Sequence, residues 1–169
     1  MTKTYLSIGS NSGDRETFIK QAVNSLILCE EIDVIQTSAL YETEPWGVKN
    51  QNWFLNIIVE IYTELSPRDL LVKLNQIEDS LGRNRKNESR WGERTLDIDI
   101  VFYGDEVIST EILTIPHARM HERAFVLVPM MEIAPDFVHP IFNKTIVDLY
   151  EKLENVEEVF LYGTRSLMQ

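Results

Sequence analysis

The sequence predicts an α+β fold, and three observations predict it. The segments KTYLSIG, WFLNIIVEIY and LDIDIVF carry strand patterns. Segments following the first two repeat apolar residues at helical spacing. No internal repeat, low-complexity tract or linker divides the chain, so its 169 residues are expected to form one domain, 1–169, large enough to bury a core.

Each element follows from local chemistry. Residues 3–9 alternate Tyr5 and Ser7 against Leu6 and Ile8 and end in a Gly-Ser-Asn-Ser-Gly turn. Asp14 opens a helix whose apolar residues are Phe18, Ile19, Ala22, Val23, Leu26 and Ile27. A second strand is expected over 32–41. Pro45, Gly47, Asn50 and Asn52 mark an exposed loop before the strongest strand signal, 53–62. Ser66-Pro67-Arg68-Asp69 starts a helix, with Ser as N-cap, Pro at the first position and an acid in the first turn. Its apolar face is Leu70, Leu71, Leu74, Ile77 and Leu81, and Gly82 is the expected stop. A basic loop leads into the Asp97/Asp99 strand, and Gly104-Asp105 turns into 106–108. Short helices are expected around 119–128, after Pro116, and near 145–153. The order β-α-β-β-α-β is the split βαβ, ferredoxin-like sandwich, an antiparallel sheet with helices packed on one face.

Apolar content of 44% and charged content of 25% are ordinary globular values. No apolar run approaches eighteen residues, and the N-terminus lacks the apolar core of a signal peptide. Cys29 stands alone, which fits a reducing, cytoplasmic setting and a small buried hydrophobe better than a reactive thiol. A net charge of −11 argues against nucleic acid or an anionic membrane as partner. Five of the sixteen basic residues (Arg83, Arg85, Lys86, Arg90 and Arg94) nevertheless fall within twelve positions, a cluster suited to one small polyanion.

The stretch RWGERTLDIDIVFYG places Asp97 and Asp99 on one strand face and Leu96, Ile98 and Ile100 on the other. At about 6–7 Å apart, two such charges repel by roughly 2.5 kcal/mol at an effective dielectric near 20. A solvated edge strand would screen that cost. A cleft would need a cation between the acids, and Mg²⁺, which takes one or two carboxylates and completes its shell with water and phosphate, suits the pair. Guanidinium groups of the preceding loop, flanked by Gly82 and Gly92, would bind phosphate. There is no GxxxxGK[ST] motif. His117 and His121, four apart, could share a helix face as metal ligands, but no Glu or Cys completes a recognised spacing. His117 is better read as a hydrogen-bond donor to phosphate, with Arg123 nearby. Asn56, an amide inside FLNIIV, needs partners if buried. A flat heterocycle held between Phe54 and Phe125 and read by Asn56 would account for all three.

Together, YLSIGSNSGDR, YETEPWG, NWFLNIIVE, RWGERTLDIDIVFYG and PHARMHERAFVLVP resemble the 6-hydroxymethyl-7,8-dihydropterin pyrophosphokinase family of folate biosynthesis, over nearly the whole chain. The resemblance implies transfer of the β,γ-pyrophosphoryl group of ATP to the hydroxymethyl of the pterin, releasing AMP, with two Mg²⁺ ions. It implies that Asp97 and Asp99 hold both ions and that Arg83 and Arg94 engage the phosphates. Arg85 and Trp91 would close over ATP, and Glu78, His117 and Arg123 would line the nucleotide site. Phe54 and Phe125 would sandwich the pterin, with Asn56, Thr43, Pro45 and Trp46 along its edge. The chain departs from the family at Phe54, where many members have Tyr, and at Glu44 and Trp46; RKNESRWG is one residue longer than in some relatives. The alternatives are a two-metal nuclease or phosphatase using the same aspartates, and a non-catalytic ferredoxin-like module. No protein partner is expected, and the length leaves no room for a fused second enzyme.

Overall fold

The computed structural model describes residues 1–45, 52–82 and 96–163. β1 (Thr2–Ser10) leads to α1 (Arg15–Ile27), then β2 (Ile32–Thr37), β3 (Tyr41–Thr43) and β4 (Phe54–Thr63). α2 (Pro67–Ser80) precedes β5 (Asp97–Tyr103), and β6 (Ile108–Ser109) pairs with β7 (Thr114–Ile115). A 3₁₀ turn (Met120–Glu122), α3 (Ala124–Ile133), α4 (Ile146–Glu151) and β8 (Val159–Leu161) complete the chain. The main sheet runs β5-β1-β4-β3-β8, with β2 also on β4, and every pairing is antiparallel.

The helix starts obey their capping chemistry. Asp14 Oδ1 accepts from Thr17 N–H at 3.2 Å, and Ser66 Oγ accepts from Asp69 N–H at 3.2 Å. α2 ends where expected, with Gly82 at a positive φ of 92° that favours glycine. Thr145 and Asp148 form a reciprocal capping box at the start of α4.

Alternation along the strands builds two cores. Leu6, Ile8, Ile57, Val59, Ile61, Ile98 and Ile100 pack against Ile19, Ala22 and Leu26 of α1 and Leu70, Leu74 and Ile77 of α2. The opposite face is not left open, as helices on one face alone would leave it. Tyr5, Ile58, Val101 and Phe102 pack there against Val126, Leu127 and Met130 of α3 and Ile146 and Leu149 of α4. A register shift between Tyr5 and Leu6 against β5 lets Val101 and Phe102 both face this second core.

Two further expectations need correction. The strand over 32–41 is interrupted: β2 and β3 occupy successive stretches of the same edge of β4, with Tyr41 in the second. The break has a side-chain cause. Ser38 Oγ takes the Ile58 N–H at 2.9 Å, and Ser38 N–H bonds the Ile58 carbonyl, so the hydroxyl stands in for the ladder. The helix over 119–128 is instead a 3₁₀ turn, an extended residue at Arg123 (φ −116°, ψ 106°), and a helix that runs through Pro129 to Ile133. Burial of Ala124, Val126, Leu127 and Met130 outweighs the missing Pro129 donor. A strand that the sequence reading did not anticipate, β8, pairs with β3 beyond the last expected helix.

Candidate functional site

The site is laid out by strand register. Asp97 pairs with Gly9, Gly9 with Asn56, and Asn56 with Tyr41, so one row of residues crosses four strands on the α3 face. Asp97 and Asn56 are two strand spacings apart, about 9–10 Å. Asp99 lies one row deeper, opposite Ser7, and Phe54 and Thr43 lie one row further out, opposite each other. Leu96, Ile98 and Ile100 are buried on the other face, while Asp97 and Asp99 are half-exposed. Both acids therefore project from a strand anchored in the α1/α2 core.

The floor between Asp97 and Asn56 has no side chain. A Cβ at Gly9 would stand 2.6 Å from Asn56 Oδ1, so the Asn56 amide lies directly over that glycine. The amide is fixed on its other side, where Nδ2 donates to Thr43 Oγ1 at 3.0 Å. Asn56 and Thr43 are almost completely buried, and Pro45, just after Thr43 in the sequence, is buried as well. A buried amide held this firmly presents a fixed polar edge to whatever lies over the sheet. Glu78, also buried, accepts the Ile98 N–H on Oε2 at 2.9 Å and so braces the strand between the two aspartates.

The other wall comes from residues 116–125. His117 N–H bonds the Val101 carbonyl at 3.0 Å, which ties this segment to β5. His117 Nδ1 accepts the Arg119 N–H at 3.3 Å, so the neutral ring carries its proton on Nε2. That nitrogen lies 3.9 Å from Asp99 Oδ2, too far for a direct hydrogen bond. Burial, together with the charge of Arg123, pushes His117 down to about 4 against the pull of Asp97, so the ring is a neutral donor at pH 7. Burial also lowers Arg123 from its ordinary value, opposed chiefly by Asp99. A guanidinium remains charged under such a shift. Arg123 stands 5.5 Å over the Phe125 ring. His121 belongs elsewhere: its ring meets Phe142 at 4.7 Å and His139 at 6.5 Å, away from His117 and the acid pair.

Thus Asp97, Asp99, His117 and Arg123 gather at the β5 side of the face, while Thr43, Phe54 and Asn56 gather at the β3/β4 side, with Phe125 beside Arg123 on α3. Trp46, Arg83, Arg85, Trp91 and Arg94 lie outside the described residues. Sequence reasoning missed Gly9 and the partners of α3. A glycine at the end of a strand signals close approach, and Gly9 could have been found that way.

The donor set fits a hard cation. Two carboxylates on one strand face, half-exposed, offer oxygen ligands and leave the remaining positions to water and substrate, as Mg²⁺ prefers. Among the described residues no group of three or more His, Cys, Asp or Glu side chains could enclose a metal by itself.

Paired acids, the Arg123 guanidinium and a neutral histidine at one end of an antiparallel sheet make a site chemically suited to phosphoryl groups. Residues 5–135 match the family model for 7,8-dihydro-6-hydroxymethylpterin-pyrophosphokinase, and the chain belongs to that family. It is 41% identical over 160 residues to a 2-amino-4-hydroxy-6-hydroxymethyldihydropteridine pyrophosphokinase from Aquifex aeolicus, covering 95% of this chain and 96% of that one. It is 47% identical to the Methylorubrum extorquens enzyme of the same name over 154 residues, 91% and 95% of the two chains. The Bacillus subtilis protein of that name is 50% identical over 129 residues, 76% of each chain. Among solved structures, wild-type HPPK-DHPS from Plasmodium falciparum with pteroate superposes with a TM-score of 0.71 at 19% identity. The match covers 89% of this chain and 42% of that one, and bears on the fold alone. No helix among the described residues is long and apolar enough to cross a membrane.

Proposed function

We propose that this chain transfers the pyrophosphoryl group of ATP to 6-hydroxymethyl-7,8-dihydropterin, releasing AMP, as one Mg²⁺-dependent domain spanning 1–169. The observation that carries the reading is the Asp97–Gly9–Asn56 row, which puts an acid pair and a fixed amide on one rigid floor. The family membership supplies the substrates. A single sheet that collects strands from Thr2 to Leu161 supports one domain.

Two Mg²⁺ ions held by Asp97 and Asp99 would neutralise the triphosphate and favour in-line displacement at the β-phosphorus. The remaining work falls to the chain. The Asn56 amide, pinned by Thr43, hydrogen-bonds the pterin edge, and Phe54 and Phe125 stack on its faces. Thr43, Pro45 and Trp46 line the rim. His117 donates from Nε2 to a phosphate oxygen in the space it leaves before Asp99, and Arg123 supplies a charged donor beside it. Arg83 and Arg94 engage the transferred phosphates, Arg85 and Trp91 cover ATP, and Glu78 belongs to the nucleotide wall through its hold on β5. The reaction needs positioning and charge neutralisation more than a strong base.

The test is nucleotide chromatography after incubation with ATP, Mg²⁺ and 6-hydroxymethyl-7,8-dihydropterin. Pterin-dependent AMP is expected. ADP instead of AMP would indicate a simple kinase, and no turnover would favour a binding module; either result overturns the reading.

A further inference from the structure

The segment 157–161 lies beyond the residues 5–135 that the family model matches, yet it touches the site from two sides. Glu157 Oε1 accepts the N–H of Phe125 at 3.2 Å. Phe125 is the second residue of α3, whose N-cap, Arg123, makes no side-chain capping bond. Glu157 therefore satisfies one of the orphan donors of that helix from a distant part of the chain. Two residues on, β8 begins, and it pairs antiparallel with β3: Thr43 with Val159, Glu42 with Phe160, Tyr41 with Leu161. Thr43 is the residue whose hydroxyl holds the Asn56 amide. From the other side, Phe160 meets Trp53, the residue before Phe54, at a ring separation of 6.0 Å.

The Phe125 side chain and the Thr43–Asn56 pair thus stand on separate elements, α3 and the β3/β4 edge. At its far end α3 is tied to β3 by Glu132, which accepts from the Tyr41 hydroxyl at 2.6 Å. Segment 157–161 bridges the two elements at the site end.

We propose that Glu157 and β8 form a positioning element for the pterin site, setting the distance between the Phe125 ring and the Thr43–Asn56 floor. The proposal rests on the assignment of Phe125 and Asn56 to the pterin. Glu157 is a positioning residue rather than a catalytic one, because it acts through the backbone of Phe125. The bond needs an acceptor oxygen and no charge, and that property separates the two informative variants. Glu157→Gln keeps an oxygen at the same reach, whereas Glu157→Ala removes it.

The experiment is calorimetric titration of the full chain with 6-hydroxymethylpterin, in Mg²⁺ and a non-hydrolysable ATP analogue, with thermal unfolding as a check on the fold. Glu157→Ala is expected to weaken pterin binding about five- to tenfold, the scale of one lost helix cap. Glu157→Gln, which keeps the acceptor oxygen, is expected to restore wild-type pterin affinity. A role confined to stability would lower the unfolding midpoint without moving the pterin affinity of the folded protein. Unchanged pterin affinity in Glu157→Ala, or equal losses in Glu157→Ala and Glu157→Gln, would overturn the proposal. Phe125→Ala serves as the control. If it loses pterin while Glu157→Ala does not, the positioning role alone falls; if it also keeps pterin, the placement of the pterin falls with it.

Discussion

Gly9→Ala is the sharpest perturbation of the proposed pterin floor, because it adds one methyl group and removes nothing. The added Cβ would lie 2.6 Å from Asn56 Oδ1, well inside the 3.4 Å at which ordinary contact begins. Asn56 cannot swing aside freely, since its Nδ2 donates to Thr43 Oγ1 at 3.0 Å and both residues are buried. If the amide rotates, that bond is lost and buried polar atoms go unsatisfied, at about 1–3 kcal/mol. If β1 yields instead, overpacking costs about 1–3 kcal/mol. Either route predicts a loss near 2 kcal/mol, a fall in Tm of about 4–8 °C for a chain of this length. Only the site reading predicts a second effect: pterin affinity should fall more than about tenfold, since displacing one fixed hydrogen-bonding group is worth roughly 1.4 kcal/mol or more. The KM for ATP should stay essentially unchanged. Thermal unfolding and calorimetric titration read the two effects, and a cycle with Asn56→Ala should show a coupling of about 1 kcal/mol or more. Wild-type Tm and wild-type pterin affinity in Gly9→Ala would refute the claim that Gly9 clears space for the Asn56 amide.

Other predictions follow from single contacts. Glu78→Ala orphans the Ile98 N–H between the two aspartates; it should cost about 1–3 kcal/mol in urea unfolding and should lower kcat. His139 is buried, its Nδ1 accepts from the N–H groups of Ile141 and Phe142, and burial, helped by His121, pushes it down to about 4. The unfolded chain therefore takes up this proton first as the pH falls. Stability from His139 is complete above about pH 6.5 and drains away between about 6.5 and 4, by at most about 3 kcal/mol. Urea unfolding at pH 7.5 and 5.0 should show a smaller pH dependence in His139→Gln than in the parent. Arg83→Ala and Arg94→Ala should lower the turnover rate far more than the pterin affinity measured by calorimetry; lost pterin affinity would contradict their assignment to the phosphates.

Much of this site was readable before any coordinates. Period-two alternation alone put Asp97 and Asp99 on the face opposite Leu96, Ile98 and Ile100, because a strand has only two faces and one of them must be buried. The caps at Asp14 and Ser66 and the stop at Gly82 were equally local. What the sequence concealed was set by contacts between distant residues. Ser38 breaks the strand over 32–41 because Ile58, twenty positions on, offers it an N–H. Helix α3 survives Pro129 because a second core lies beneath it. The meeting of Gly9 with Asn56 needs the β1/β4 register, and the bond from Phe125 to Glu157 needs a C-terminal segment with weak local signals of its own. The motif resemblance supplied what neither alternation nor register can: the pterin and attack at the β-phosphorus.

The central claim is that a metal-bound phosphate chain rests on Asp97 and Asp99. It is tested most directly by Mg²⁺-dependent, pterin-dependent AMP formation in Asp97→Ala and Asp99→Ala, with circular dichroism confirming the fold. The account predicts folded proteins whose rate falls by about 10³-fold or more, the scale of losing preorganised charge stabilisation. Near-wild-type Mg²⁺-dependent AMP formation in either variant would contradict it.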